Sequence, residues 1–231
     1  MNDSSNCSPK IRTKICGITS IEDALNVCNA GADALGLVFY EKSPRNVSST
    51  QAFEICSALP PFVTTVGLFL DASEDFVNDI LKNVHLDLLQ FHGSESPKYC
   101  ASFNRPYIKA VGMKEFLQSK NQDNIETSFK KYADQYPQAL GFLVDSHGAG
   151  KAGGTGETFN WKKVPKKYNK PIILAGGLCS ENISEAIQTA DSIYGVDLSS
   201  GVESALGIKD KEKIKALMRN IRMSEVRRVQ S

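Results

Sequence analysis

The stretch from Pro171 to Ser200 reads PIILAGGLCSENISEAIQTADSIYGVDLSS. Its first run, 171–177, is short, apolar and β-branched and stops at Gly176-Gly177. Ser180-Glu181-Asn182 then carries the small polar residues that open helices, and a second apolar run, 192–199, stops at Ser199-Ser200. Runs this short and unbroken suit parallel strands covered on both faces, and strand–helix–strand is the repeating unit of a parallel sheet.

Reading outward, the same unit recurs. Strand candidates lie at 12–18, 34–40, 63–70, 86–92, 107–113, 139–146, 171–177 and 192–199, beginning 21 to 32 residues apart. Ser20 before Glu22-Asp23, Ser73 before Glu74-Asp75 and Ser96-Pro97 mark helix starts, Gly31 a helix end, and 209–220 the last helix, with Ile214, Leu217 and Met218 on one side. Eight such units predict a closed (β/α)8 barrel. An open doubly wound sheet is the rival, but it would show a reversal of strand order. The 231 residues fit one barrel domain over 1–231, since that fold takes about 200–250 residues. The segment 147–160, with five glycines, predicts a mobile loop after the sixth strand, and 1–11 and 222–231 read as loosely ordered tails.

Composition excludes several partners. With 27 Lys+Arg against 26 Asp+Glu there is no basic excess for nucleic acid or a membrane surface. No run approaches the roughly 20 apolar residues of a membrane span, and the polar N-terminus lacks a secretory pattern. The six cysteines are scattered without a CxxC pair and there are three histidines, so no metal site is expected, and the sequence offers no site for an organic cofactor. Free thiols of this kind suit the cytoplasm. No obligate protein partner is implied, and the oligomeric state stays open between monomer and homodimer.

In a barrel the chemistry sits on the loops at the C-terminal ends of the strands. Gly176 and Gly177 after the seventh strand, with Ser199, Ser200 and Gly201 after the eighth, present bare backbone N–H groups and hydroxyls. Either turn alone is ordinary; together they predict a phosphate grip and hence a phosphorylated small-molecule substrate. Lys14 and Cys16 share one face of the first strand, so Cys16 is a candidate general base or nucleophile, or else a small buried thiol. Asp145 ends the sixth strand as a candidate general acid or a loop cap. Arg45, in Ser43-Pro44-Arg45, suits a substrate carboxylate, whereas a solvated charge is the commoner fate of a lone loop arginine. Gln90 and His92 share parity as polar substrate contacts, or else His92 is a satisfied structural histidine, and Asp197 is placed to pair with Lys14 or to orient groups near the phosphate.

Taken in order, Lys14-Ile15-Cys16-Gly17, Ser43-Pro44-Arg45, Gln90-Phe91-His92-Gly93, Asp145 with Gly153-Gly154-Thr155-Gly156, Leu174-Ala175-Gly176-Gly177-Leu178 and the run from Gly195 to Glu203 resemble the phosphoribosylanthranilate isomerases of tryptophan biosynthesis. Phe91 stands where that family often carries leucine. The resemblance implies an Amadori rearrangement in which Asp145 protonates the furanose ring oxygen, Cys16 takes the C2′ proton and Arg45 holds the anthranilate carboxylate. It further implies that the glycine-rich loop closes over the substrate. Two other readings remain. A histidine-pathway isomerase would carry a carboxylate in place of Cys16, and a catalytically silent phosphate-binding barrel would lack one of the acid–base pair.

Overall fold

The computed structural model describes residues 10–113, 125–146, 159–166 and 168–230. Eight parallel strands close into a barrel in sequence order. They are β1 (Arg12–Cys16), β2 (Ala34–Phe39), β3 (Thr64–Phe69), β4 (Leu88–Phe91), β5 (Tyr107–Gly112), β6 (Gly141–Asp145), β7 (Ile172–Leu174) and β8 (Gly195–Leu198). Closure is made where β8 pairs with β1, in the register Arg12↔Gly195, Lys14↔Asp197 and Ile15↔Leu198. Every expected strand is present, each ending short of the expected limit because the chain turns upward there. Gly17, Gly176 and Gly177 take positive φ at two of those turns, after β1 and after β7.

Helices α1 (Ile21–Ala30), α2 (Ser49–Ser57), α3 (Glu74–Asn83), α4 (Pro97–Ser102), α5 (Ile125–Ala133), α6 (Ile183–Thr189) and α7 (Lys211–Gln230) surround the sheet. Ser20, Ser73 and Ser96 cap α1, α3 and α4, each accepting a backbone N–H three residues on, and Gly31 closes α1 at φ 92°. Ser180 does not cap α6. Its hydroxyl turns to Glu181, and the Asn182 side chain accepts from Cys179 N and donates to Gly177 O, which shapes the loop before the helix. Between β6 and β7 the described residues hold a single 3₁₀ turn, Trp161–Lys163. The expected glycine-rich loop lies outside the described residues up to 158.

Parity along the strands separates two layers. Side chains such as Leu35, Phe69, Phe91, Phe142 and Val196 point outward and build the main core against the helices. Inside the barrel the apolar groups form two small clusters, one of Cys16, Val38 and Leu68 and one of Ala110, Leu143 and Ala175. The upper inward layer therefore leaves a space at the C-terminal mouth of the barrel.

The expectation of loose tails does not hold for the described residues. Lys209 belongs to a small hairpin of β9 (Glu203–Ala205) and β10 (Ile208–Lys209), and α7 starts two residues later, where Asp210 accepts from the backbone of Glu212 and Lys213. The helix continues well past 222 because its packed face continues. Ile221 and Ser224 are buried, Ser224 meets Ser184 of α6, and Glu225 accepts from the backbone of Ile11 at 2.6 Å. Residues 10 and 11 are thereby fixed, with Lys10 also 2.7 Å from Asp33; residues 1–9 lie outside the described residues.

One outward-facing residue breaks the apolar layer. Lys109 on β5 is 0% exposed, and its ammonium donates to the carbonyls of Phe91 (3.2 Å), Gly93 (2.7 Å) and Ala110 (3.2 Å) beside Glu95 at 3.2 Å. Glu95 in turn accepts from Asp71 N and Gly93 N, which ties the loops after β3 and β4 together. Removing one partner of a buried pair strands the other charge, at a cost of about 3–5 kcal/mol. Lys109→Met is expected to lose stability in that range by denaturant unfolding. A loss below about 1 kcal/mol, the range of an exposed ion pair, would show that Glu95 does not depend on it.

Candidate active site

Cys16 ends β1 with its thiol turned into the barrel mouth, 6% exposed. Its neighbour across the sheet is Gly36, where a Cβ would stand 2.8 Å from the sulfur and 3.0 Å from Cε of Lys14. The missing side chain at 36 is what makes room for both. Lys14 lies one inward position below Cys16 and donates to Asp197 on β8 at 2.8 Å, as the shared register requires. Burial works against the Lys14 charge, but Asp197 and the adjoining thiol outweigh it and hold its pKa above the usual lysine range. Burial also pushes Asp197 upward against Lys14; the direct contact decides, and the pair is ionic. Burial raises the Cys16 pKa too, opposed by Lys14 and Lys209 and reinforced by Asp197.

Across the mouth Asp145 ends β6, 8% exposed. Ser146 Oγ donates to its Oδ1 at 3.3 Å, and Nε2 of His92 stands 3.7 Å from Oδ2. A Cβ on Gly176 would stand 2.7 Å from Oδ1 and would collide with Ser146 Oγ, so the glycine at φ 87° lets the loop after β7 pack directly on the carboxylate. The Gln90 amide nitrogen lies 3.1 Å from Nδ1 of His92. In the tautomer where Nδ1 accepts, the imidazole proton sits on Nε2 and faces Asp145. Burial lowers the His92 pKa, Asp145 opposes and Lys109 adds to the fall, so the ring is neutral near pH 7. Gln90 Oε1 is buried without a partner among the described residues.

Arg45 reaches the mouth from the loop after β2. Its turn is closed by Asn46 N donating to Ser43 O at 3.0 Å and by Ser43 Oγ accepting from Arg45 N at 3.1 Å. The side chain crosses Gly17 and is buried, which overturns the solvated-charge alternative. Its Nε and Nη2 are engaged by Glu203 at 2.7 and 2.8 Å, so the Nη1 edge is the part Glu203 leaves for a ligand. Glu203 also accepts from Lys209 at 2.7 Å, its register partner across the hairpin. Burial acts against the Glu203 charge, and the two cations outweigh it and lower its pKa. Burial pulls Lys209 below the usual lysine range while Glu203 opposes.

These groups enclose one cleft of about 810 Å³, open solvent at its mouth included. Cys16, Arg45, Gln90, His92, Asp145, Gly176, Gly177, Asp197, Ser199 and Ser200 all line it. Gly201 does not. It packs against the carbonyl of Leu178, joining the loops after β7 and β8, and begins no long helix because the turn Ser200–Val202 is a single 3₁₀ turn. Ser199 Oγ donates to Cys16 O at 3.0 Å, linking the loop after β8 to the end of β1. Val38, Tyr40, Leu68 and Leu70 supply an apolar wall on the β2–β3 side near Arg45. Sequence reading assigned no role to Glu203, Lys209 or Gly36. The available signals were Glu203 closing the run that begins at Gly195 and a second ionisable residue, Lys209, six positions on. Among the described residues no group of three or more His, Cys, Asp or Glu is placed to hold a metal ion, and no helix is long and apolar enough to cross a membrane.

Comparison with known proteins bears on this arrangement. Residues 13–220 match the family profile described as N-(5′-phosphoribosyl)anthranilate (PRA) isomerase. The chain is 52% identical over 214 residues to the N-(5′-phosphoribosyl)anthranilate isomerase of Pseudomonas putida (strain GB-1), covering 93% of this chain and 98% of the relative. It is 50% identical over 218 residues to that of Alcanivorax borkumensis, covering 91% and 95%. The crystal structure of phosphoribosyl anthranilate isomerase from Thermus thermophilus superimposes with a TM-score of 0.77 at 36% identity, over 92% of this chain and 99% of that one. A phosphoribosyl anthranilate isomerase solved with reduced 1-(o-carboxyphenylamino)-1-deoxyribulose 5-phosphate gives 0.73 at 34% identity, over 92% and 99%. With the barrel, the cleft and near-complete coverage in agreement, the chain belongs to the N-(5′-phosphoribosyl)anthranilate isomerase family, the isomerases of this step in tryptophan biosynthesis.

Proposed function

We propose that Cys16 and Asp145 are the base and acid of an Amadori rearrangement converting N-(5-phosphoribosyl)anthranilate to 1-(2-carboxyphenylamino)-1-deoxyribulose 5-phosphate. One observation carries this reading. A thiol from β1 and a carboxylate from β6 face the same cleft, whose rim holds a Gly/Ser loop pair suited to phosphate and an arginine suited to a carboxylate. The ligand in the related structure bears both a phosphate and a carboxyphenyl group, which supports the same orientation here.

In this reading the 5-phosphate is gripped by the backbone of Gly176 and Gly177 and by Ser199 and Ser200. The neighbouring Gly201 acts from behind by holding the two loops together. The aromatic ring lies along Val38 and Leu68 with its carboxylate on the Nη1 edge of Arg45. The ribose then spans the mouth between acid and base. Asp145 protonates the ring oxygen, the C1′–O bond breaks and the anthranilate nitrogen supplies the electron pair that forms the iminium. Cys16 removes the C2′ proton, those electrons neutralise the iminium, and the resulting enolamine tautomerises to the 2′-ketone. Neutral His92, oriented by Gln90, directs an N–H toward Asp145, and Asp197 keeps Lys14 in place beneath Cys16. No metal or organic cofactor enters any of these steps. The working unit is the one barrel domain over 1–231, acting in the cytoplasm on a phosphorylated small molecule without an obligate protein partner. The five described cysteines, all free, support that compartment.

General acid or base catalysis contributes about 10²–10⁴-fold. Cys16→Ser and Asp145→Asn are each expected to lower kcat by at least that much, while a phosphorylated product analogue still binds. The assay follows the fluorescence of the anthranilate group with freshly made substrate. Either variant turning over within about tenfold of the parent protein would remove that residue from the mechanism. The pH dependence has a definite sign. The base must be a thiolate, and burial holds the Cys16 pKa above the ordinary thiol range, so kcat/KM rises with pH through neutrality and into the alkaline range. A profile flat from about pH 7 to 9 contradicts a thiolate base, because an unperturbed thiol titrates at about 8.5.

A further inference from the structure

Two cations approach Cys16, and their surroundings differ in charge balance. Lys14 is matched by Asp197 alone, one ammonium to one carboxylate. Lys209 shares Glu203 with Arg45, so that cluster holds two cations and one carboxylate and keeps a net positive charge. The three acceptors around Lys209 Nζ are Glu203 Oε1 at 2.7 Å, Ser199 O at 3.2 Å and Ser199 Oγ at 3.4 Å. The Ser199 hydroxyl has given its own proton to Cys16 O, so it can only accept from Lys209. Three acceptors match the three donors of an ammonium, and a neutral amine would leave one of them unserved. The side chain is 0% exposed, so this charge is little screened by water or salt.

We propose that Lys209 is a positioning residue of the reaction, the shared cation that fixes the Arg45 clamp to the β8 phosphate loop and supports the Cys16 thiolate. The hairpin makes this possible. The register Lys209↔Glu203 places the ammonium on the carboxylate that holds Arg45, and its bonds to Ser199 place it behind the serine that is bonded to Cys16 O. The charged groups that bear on Cys16 are Lys14 of its own strand, Asp197 of β8, Lys209 of the hairpin and Arg45 of the loop after β2. Lys209 and Arg45 are the cations that Glu203 leaves incompletely neutralised. The same charge favours an anionic ligand at Ser199 and Ser200, so loop, clamp and base respond to one group.

The proposal rests on Cys16 being the base, and its test is read without substrate. Iodoacetamide alkylation of the Cys16 peptide, followed by mass spectrometry across pH, gives the midpoint of thiolate formation. Lys209→Met is expected to raise that midpoint by about one unit, tenfold less thiolate at a fixed lower pH. Lys209→Arg is expected to return it toward the parent value. Glu203→Gln removes the carboxylate between two cations and is expected to lower the midpoint; it also serves as the test should Lys209→Met fail to fold. Opposite shifts from two residues in contact are not produced by general loosening of the hairpin, which moves both the same way. A Lys209→Met midpoint equal to that of the parent protein, or a Glu203→Gln midpoint unchanged or raised, overturns the proposal. Turnover by Cys16→Ser would instead sink the base assignment and leave the thiol titration standing.

Discussion

Between β1 and β8 the Lys14 ammonium meets the Asp197 carboxylate at 2.8 Å, and that contact exists only because the last barrel strand returns to pair with the first. A parallel sheet left open would end there with unpaired N–H and C=O groups. Closing it satisfies the edges and sets the register that places the inward side chains of the two strands side by side. The rest of the site follows from the same register. One inward step above Lys14 stands Cys16, and beyond Asp197 the chain turns into Ser199, whose hydroxyl bonds back to Cys16 O. Cys16 and the loop after β8 are therefore joined by a direct hydrogen bond as well as through the sheet register.

The mouth of the barrel carries an unusual load of buried charge, with Lys14, Arg45, Asp145, Asp197, Glu203 and Lys209 all largely removed from water. Isolated charges there would be too costly to keep ionised, so each described cation is held against a carboxylate. The matching is local. Lys14 and Asp197 cancel, Lys109 and Glu95 cancel outside the barrel, and the Arg45–Glu203–Lys209 group alone retains a positive excess, on the side where a doubly anionic ligand would bring its carboxylate and phosphate. Glycines at 36 and 176 complete the arrangement, one beside the Cys16 thiol and one beside the Asp145 carboxylate, where any side chain would displace its neighbour.

The eight strands were legible because residues such as Ile15, Leu35 and Val144 pack outward under the helices while their neighbours line the barrel interior, which leaves nearly unbroken apolar runs. Their ends were less so, since 17, 176 and 177 continue the apolar or small-residue pattern while the backbone has already turned to positive φ. Parity along β1 and β4 correctly grouped Lys14 with Cys16 and Gln90 with His92, because a period of two needs no knowledge of neighbours. The extent of α7 was hidden because Ser224 and Glu225 look like surface residues until Ser184 and Ile11 are brought against them. Glu203 and Lys209 were harder still. Their hairpin strands span three and two residues, too short for any periodic signal, and their importance depends on a cross-strand register and on Arg45, 158 residues away from Glu203.

The seam between first and last strands also orders events during synthesis. Lys14 and Asp197 are 183 positions apart, and Ile11 and Glu225 are 214 apart. At ribosomal rates of about 5–20 residues per second, β1 waits roughly ten to forty seconds for its partner strand to be made. Throughout that interval the outer edge of β1 is exposed as a template for unwanted pairing, and Cys16 has neither of its supporting lysine clusters complete. The barrel edge thus stays open through most of synthesis, and the mouth that holds Cys16 is among the last features to be completed.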